Sequence, residues 1–308
     1  MKSSTWTAAD LPDLTGRTFV VTGAGAGLGL VTTRELARAG ARVVMAVRDE
    51  ARGLLVADGL RAQLSGRCGN SLHGSVGRVE VRHLDVSSLA SVQRFADDWS
   101  GPLDVLINNA GIMRVPLSYT GDGLESQMAT NYFGPFALTS ALLPRLGDRV
   151  VHLSSQLHRV GHVRTDDLNS RARRYDELGA YCDSKLAVVL FSNELQRRLQ
   201  ATGSAVRSIA AHPGIARTNL ATHAGGLTGR INHLGPLLND VEHGALPSLY
   251  AATQDVPGGS YVGPDGLASV KGHPAVRRPS RRARDAVTAR ALWAATTEVV
   301  GPRFAFPL

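Results

Sequence analysis

The feature that most constrains this chain is a repeated alternation of short β-branched runs with longer stretches of helical spacing. RTFVVTG (17–23), ARVVMAV (41–47), RVEVRHLDV (78–86), LDVLINNAG (103–111), RVVHLSS (149–155) and AVRSIAAHPG (205–214) read as strands. Helical spacing fills 28–40, 49–64, 87–99, 124–146 and about 179–202 between them. Strand–helix alternation over about 215 residues predicts an α/β fold: a mostly parallel, doubly wound sheet flanked by helices, with right-handed crossovers. The Gly/Ser-rich 65–77 reads as a loop, and 241–254 and 282–300 as further helices. No internal repeat or domain boundary interrupts the pattern. The expectation is a single domain over 1–308, with a core at 17–220, a loop at about 214–240 and a helical extension at about 270–308.

Composition removes several alternatives. A length of 308 residues with 43% hydrophobic and 19% charged residues suits a globular protein with a sizeable core. The two cysteines, Cys68 and Cys182, have no metal-ligand spacing, which favours a reducing, cytoplasmic setting without disulfides. No run of eighteen apolar residues exists, and the N-terminus lacks the apolar stretch of a signal peptide, so no membrane anchor is expected. The formal charge of +8 is concentrated only in RRPSRRAR (277–284), without interleaved aromatics. A solvated surface segment is expected there rather than a nucleic-acid site. The positive field also suits an anionic ligand.

TGAGAGLG, from Thr22 to Gly29, closes the first strand and opens the first helix. Gly23, Gly27 and Gly29 give GxxxGxG rather than GxGxxG. The physics is shared: glycines let the backbone approach a diphosphate seated at a helix N-terminus, as in Rossmann-type domains. At the end of the second strand Val47 stands where an NAD-binding sheet usually carries an acid for the ribose hydroxyls. Arg48 follows, and a guanidinium suits a 2′-phosphate. NADP(H) is therefore the preferred cofactor. A small shift in register brings Asp49 to the ribose instead, so NAD(H) stays open.

Only three lysines, Lys2, Lys185 and Lys271, occur among 34 basic residues. Lys185 lies four residues after Tyr181, on the same helix face. A phenol has an ordinary pKa of about 10, and a neighbouring cation lowers it. Lysine, a compact charge with three rotatable donors, can do this while also binding ribose hydroxyls. Ser154 and Ser155 end the fifth strand, and Asn108, Asn109, Ala110 and Gly111 end the fourth, at the sheet edge where open α/β folds bind ligands. Asn131 is a polar amide within an apolar helix and needs a partner.

Taken in order, TGAGAGLG (22–29), LDV (84–86), NNAG (108–111), Asn131, SS (154–155), YCDSK (181–185) and HPG (212–214) resemble the short-chain dehydrogenases/reductases. AVRD (46–49), LSSQLHRVG (153–161) and AYCDSKLAVVLFSNEL (180–195) are similar to the branch of retinol dehydrogenases and protochlorophyllide reductases. The resemblance implies that Tyr181 exchanges the proton with a carbonyl or alcohol. Lys185 would bind the nicotinamide ribose and depress the Tyr181 pKa. Ser155 would orient the substrate oxygen, with Ser154 ranked second because a one-residue change of register reverses the facing side. Asn131 would hold a water in a proton relay.

For the cofactor, the resemblance implies contacts from Thr22, Gly23, Gly25, Ala26, Gly27, Leu28, Gly29 and Arg48. Asp85 would contact adenine beside Val86. Asn109, Ala110 and Gly111 would line the adenosine side, and Pro213, Gly214 and Thr218 the nicotinamide end. Ser155 and Tyr181 stand 26 residues apart, longer than in most of the family. The insertion between them is similar to that of the retinol dehydrogenase branch and is expected at the substrate rim. Some members of that branch carry a membrane-anchoring N-terminus, which this chain is not expected to have.

The glycines and apolar residues of 217–240 suggest a loop that closes over a hydrophobic ketone, aldehyde or alcohol. His212, His223 and His233 lie on different elements without ligand spacing, so no metal is expected and they read as ordinary polar or surface residues. An NADP(H)-dependent oxidoreductase is the leading reading. An NAD(H)-dependent alcohol dehydrogenase and a non-catalytic, NADP-binding redox sensor are the alternatives; loss of Tyr181 or Lys185 would have favoured the sensor. A homo-oligomer formed through the long helices is a further implication of the resemblance.

Overall fold

The computed structural model describes residues 5–65, 72–73, 76–214 and 240–308. Eight strands form one sheet in the order β3-β2-β1-β4-β5-β6-β7-β8. They are β1 Thr18–Thr22, β2 Arg42–Val47, β3 Val79–His83, β4 Leu103–Asn108, β5 Leu146–Leu153, β6 Arg207–Ala211, β7 Tyr261–Pro264 and β8 Pro274–Arg277. Every pairing is parallel except β7 with β8. Inner strands of a parallel sheet are covered on both faces, which is why β1 is buried at all five positions and reads as a continuous apolar run.

The period of two divides these strands between two cores. Val20 and Leu106 point to the layer containing α3 Leu89–Asp97, α5 Gly134–Leu142, α6 Glu177–Ala201 and α8 Ala286–Val300. Phe19, Val21 and Ile107 point to the opposite layer, built from α1 Gly27–Arg38, α2 Glu50–Ser65 and α7 Val241–Thr253. The first connections run outward from β1 through β2 to β3, and the later ones from β4 through β5 to β6. The order reverses between β1 and β4, and their carboxyl ends open a crevice there.

Two sequence expectations are corrected. The single helix over 124–146 is broken into α4 Ser126–Met128, a π-helical stretch Ala129–Phe133, α5, and a 3-10 turn Leu143–Arg145. Pro135 lacks the N–H that would close the ordinary bond to the Asn131 carbonyl, and the Gly134 N–H reaches back to Ala129 instead. Secondly, the C-terminal extension is not wholly helical. β7 parallels β6, and β8, inside 270–308, returns antiparallel to it. Each has four residues with a proline at one end, too short to display a period. Among the described residues no helix is long and apolar enough to cross a membrane.

Candidate active site

The glycine turn stands at the carboxyl end of β1, with Gly23 at φ +64°. Its packing explains the NNAG sequence opposite. The Thr22 hydroxyl accepts from the backbone N–H of Asn109 at 3.0 Å and of Ala110 at 2.9 Å. The Asn109 amide donates to the Thr22 carbonyl at 2.8 Å. β1 and β4 are thereby stapled together across the crevice. A methyl group on Gly29 would stand 2.5 Å from both Asn109 Nδ2 and the Gly23 carbonyl oxygen. Gly29→Ala should therefore destabilise the chain by about 1–3 kcal/mol and weaken dinucleotide binding. Urea unfolding and cofactor titration check this; an unchanged midpoint with unchanged affinity would contradict the packing.

Helix α1 begins at Gly27, with Ala26 at the N-cap offering no side-chain cap to the first-turn N–H groups. Such a terminus suits an anion. Leu28, by contrast, is buried in the core beside the turn. Val47 lies under the turn, its Cγ1 being 3.7 Å from where a Cβ on Gly25 would sit. Arg48 is exposed. Asp49, also exposed, accepts from the Arg52 N–H at 2.9 Å through one carboxylate oxygen at the start of α2. Asp85 follows β3 and folds one carboxylate oxygen onto Ser87, at 2.9 Å from the N–H and 2.6 Å from the hydroxyl. Val86 is buried beside it.

The chemical groups gather at the carboxyl ends of β4 and β5. Tyr181 and Lys185 occupy one face of α6, with Nζ 5.8 Å from the phenol ring centre. The Ser155 side chain lies beside the Tyr181 hydroxyl and favours its ionised form, while its Oγ accepts from the Leu157 N–H at 3.2 Å. Ser154 points away and donates to the Lys185 carbonyl at 2.8 Å. Lys185 Nζ donates to the Leu153 carbonyl at 2.9 Å. A Cβ on Gly111 would be 3.4 Å from that nitrogen, so the NNAG segment and Lys185 meet.

The electrostatics differ from expectation in one respect. Burial pushes the Tyr181 phenol up to about 12, while the neighbouring Ser155 hydroxyl acts in the opposite direction. Lowering by Lys185 was expected, but desolvation of the phenolate dominates in the chain by itself. Burial also brings Lys185 down to about 8. At neutral pH the phenol holds its proton and the ammonium is predominantly charged.

Asn131 sits in the π-helical stretch. Its Oδ1 accepts from the Ile112 N–H at 2.8 Å, and Nδ2 donates to the Ile112 carbonyl and to Ser184 Oγ, both at 2.9 Å. The amide thus clamps the segment after β4 against α6, using both of its N–H groups.

Pro213 and Gly214 follow β6, with the Gly214 N–H donating to His212 Nδ1 at 3.2 Å. Thr218, His223, His233 and most of the expected 214–240 loop lie outside the described residues. His212 itself is buried rather than at the surface. No group of three potential metal ligands exists among the described residues.

Sequence reasoning missed Ser184, the partner of Asn131, as well as the buried His158 and Tyr261 behind Ser155. The spacing of Ser184 within YCDSK was a signal for the first. Nothing local marked Tyr261, which arrives from a strand 80 residues beyond Tyr181.

Residues 17–225 match the short chain dehydrogenase family. The chain is 40% identical to human (Homo sapiens) retinol dehydrogenase 13 over 93% of this chain and 85% of that protein. It is 39% identical to mouse (Mus musculus) polyprenol dehydrogenase over 94% and 86%. A crystal structure of an uncharacterized protein from Mycobacterium Paratuberculosis is 50% identical, covering 99% of this chain and 100% of that one with a TM-score of 0.83. This chain therefore belongs to the short-chain dehydrogenase/reductase family and is an oxidoreductase acting on CH–OH and C=O groups.

Proposed function

We propose that the chain exchanges hydride between NADP(H) and a hydrophobic aldehyde, ketone or alcohol. The observation that carries this reading is the placement of Tyr181 and Lys185 on one face of α6, with Nζ 5.8 Å from the phenol ring centre, and of Ser155 beside them at the crevice. The uncapped start of α1 and the close packing around Gly29 fit a dinucleotide diphosphate. When bound, the nicotinamide supplies or accepts the hydride. Retinol and polyprenol, named for two relatives, are both apolar alcohols, which supports a hydrophobic substrate.

In this reading Ser155 Oγ orients the substrate oxygen, and Tyr181 Oη holds the proton delivered to it during carbonyl reduction. Alcohol oxidation returns the proton to the same atom. Lys185 keeps its charge toward the nicotinamide ribose and toward the oxyanion that Tyr181 leaves behind. Asn131 positions Gly111 and α6 through its amide. A relay water belongs on its carbonyl, to which Pro135 cannot donate. Asp85 and Val86 border adenine, Asn109 and Ala110 the adenosine side, and Pro213 and Gly214 the nicotinamide end.

NADP(H) is preferred over NAD(H) because Arg48 is exposed beside Val47, while one oxygen of Asp49 caps the start of α2. Thermal shift with NADPH and NADH at matched concentrations tests this, since a ligand of the folded state raises the melting temperature according to its affinity. Arg48→Ala should weaken NADPH by about 10- to 100-fold, the value of a charged hydrogen bond, and leave NADH unchanged. Equal stabilisation of the unmodified chain by the two cofactors would count against the assignment.

A further inference from the structure

We propose that His158, Tyr261 and His212 form a buried strut that positions Ser155 and couples it to the Gly214 turn, with His158 as the principal positioning residue. This rests on the reading of Ser155 as the hydroxyl that orients the substrate oxygen. His158 lies in the 3-10 turn that follows Ser155 and is 0% exposed. Its Nε2 accepts from the Ser280 N–H at 3.1 Å. A nitrogen that accepts carries no proton, so the neutral ring holds its hydrogen on Nδ1. That nitrogen is 2.8 Å from the Ser155 carbonyl oxygen, which can only accept. The Tyr261 hydroxyl lies 3.1 Å from the same nitrogen. The contacts agree on one tautomer and hold the Ser155 backbone from behind.

The strut continues across the sheet. The Tyr261 ring stacks on His212, with centres 5.1 Å apart and planes 14° from parallel. His212 Nδ1 takes the Gly214 N–H at 3.2 Å. Burying three polar rings in a row carries a desolvation cost that aliphatic side chains would avoid. What the rings add is direction: the hydrogen bonds to the Ser155 carbonyl and from the Ser280 N–H tie the Ser155 turn to the C-terminal segment, and the Tyr261 ring links it to His212 and the Gly214 turn.

The test uses the full chain with NADPH and retinaldehyde as probe substrate. His158→Ala should lower kcat by roughly 100-fold, the scale of a small misplacement at a reacting centre, with NADPH affinity nearly unchanged. His158→Asn, whose amide N–H can replace Nδ1–H, should recover at least about tenfold of that loss. Wild-type kcat in His158→Ala, or equal losses in the two variants, would overturn the strut. Ser155→Ala separates the failures. If it retains turnover, the reading of Ser155 falls and the strut falls with it; if it loses turnover while His158→Ala does not, only the strut falls. Nitrogen-15 NMR of the full chain near neutral pH reads the His158 tautomer whether or not retinaldehyde is turned over. Nδ1–H is expected, and an Nε2–H tautomer overturns the proposal.

Discussion

Tyr181→Phe is expected to lower turnover by about 10²–10⁴-fold, the usual contribution of a positioned acid or base. The substitution keeps the ring, which is buried on α6, and removes only the hydroxyl beside Ser155. Fold and cofactor affinity should therefore change little, and the loss should fall on kcat. In the unmodified protein the phenol is held protonated by burial, so it is prepared to give a proton to a carbonyl oxygen. Without it, protonation falls to water, which the enclosed position of the ring disfavours. The measurement is steady-state reduction of an apolar aldehyde by NADPH, together with cofactor titration of the same preparation. Turnover within tenfold of wild type would remove Tyr181 from the chemistry; a collapse of cofactor affinity would give it a binding role instead.

The second large effect is on stability. His152 and His212 are brought down to about 3 and His158 to about 4 from an ordinary 6.5, in each case chiefly by burial. These rings are neutral in the folded chain throughout the mildly acid range, whereas in the unfolded chain they take up protons below 6.5. The unfolded state then binds more protons, so stability is complete above that value and falls as the pH drops toward the folded values. Each histidine should withdraw about 2 kcal/mol between about pH 8 and pH 5, or about 6 kcal/mol together. That is comparable to the whole stability of many domains. Most carboxylates begin to titrate only at the lower end of this window, so the histidines dominate it. Urea unfolding at several pH values measures the slope. A stability that stays flat from neutral to mildly acid pH would show that these rings are solvated or already protonated.

Much of this molecule was legible in its sequence because the signals were local. Buried strands such as Thr18–Thr22 and Val43–Val47 are recognisable as apolar runs, since both faces of a parallel sheet are covered. TGAGAGLG and NNAG carry the marks of a backbone that must approach something closely, and the structure packs Gly29 against Asn109. The spacing of Tyr181 and Lys185 required only the geometry of one helix. Pro135 in the sequence already marks the helix around Asn131 as one that cannot be regular.

Other features depended on residues distant in sequence. Which of Ser154 and Ser155 faces Tyr181 depends on how β5 sits against α6, and a one-residue register exchanges them. The amide of Asn131 is taken up by Ile112 and Ser184, on two different elements. β7 and β8 exist through their pairing with β6 and with each other, not through any period of their own. Tyr261 reaches the back of Ser155 only because β7 joins the sheet beside β6. The upward displacement of the Tyr181 phenol follows from desolvation, which depends on everything packed around the ring. The sequence by itself determined the order of elements, the glycine turn and the residue types of the candidate site, because helix and strand periods and turn chemistry act over a few residues. Only the tertiary structure decided which side chains face one another and how far each is removed from water, because burial and hydrogen-bond pairing are set by contacts between segments that the chain brings together when it folds.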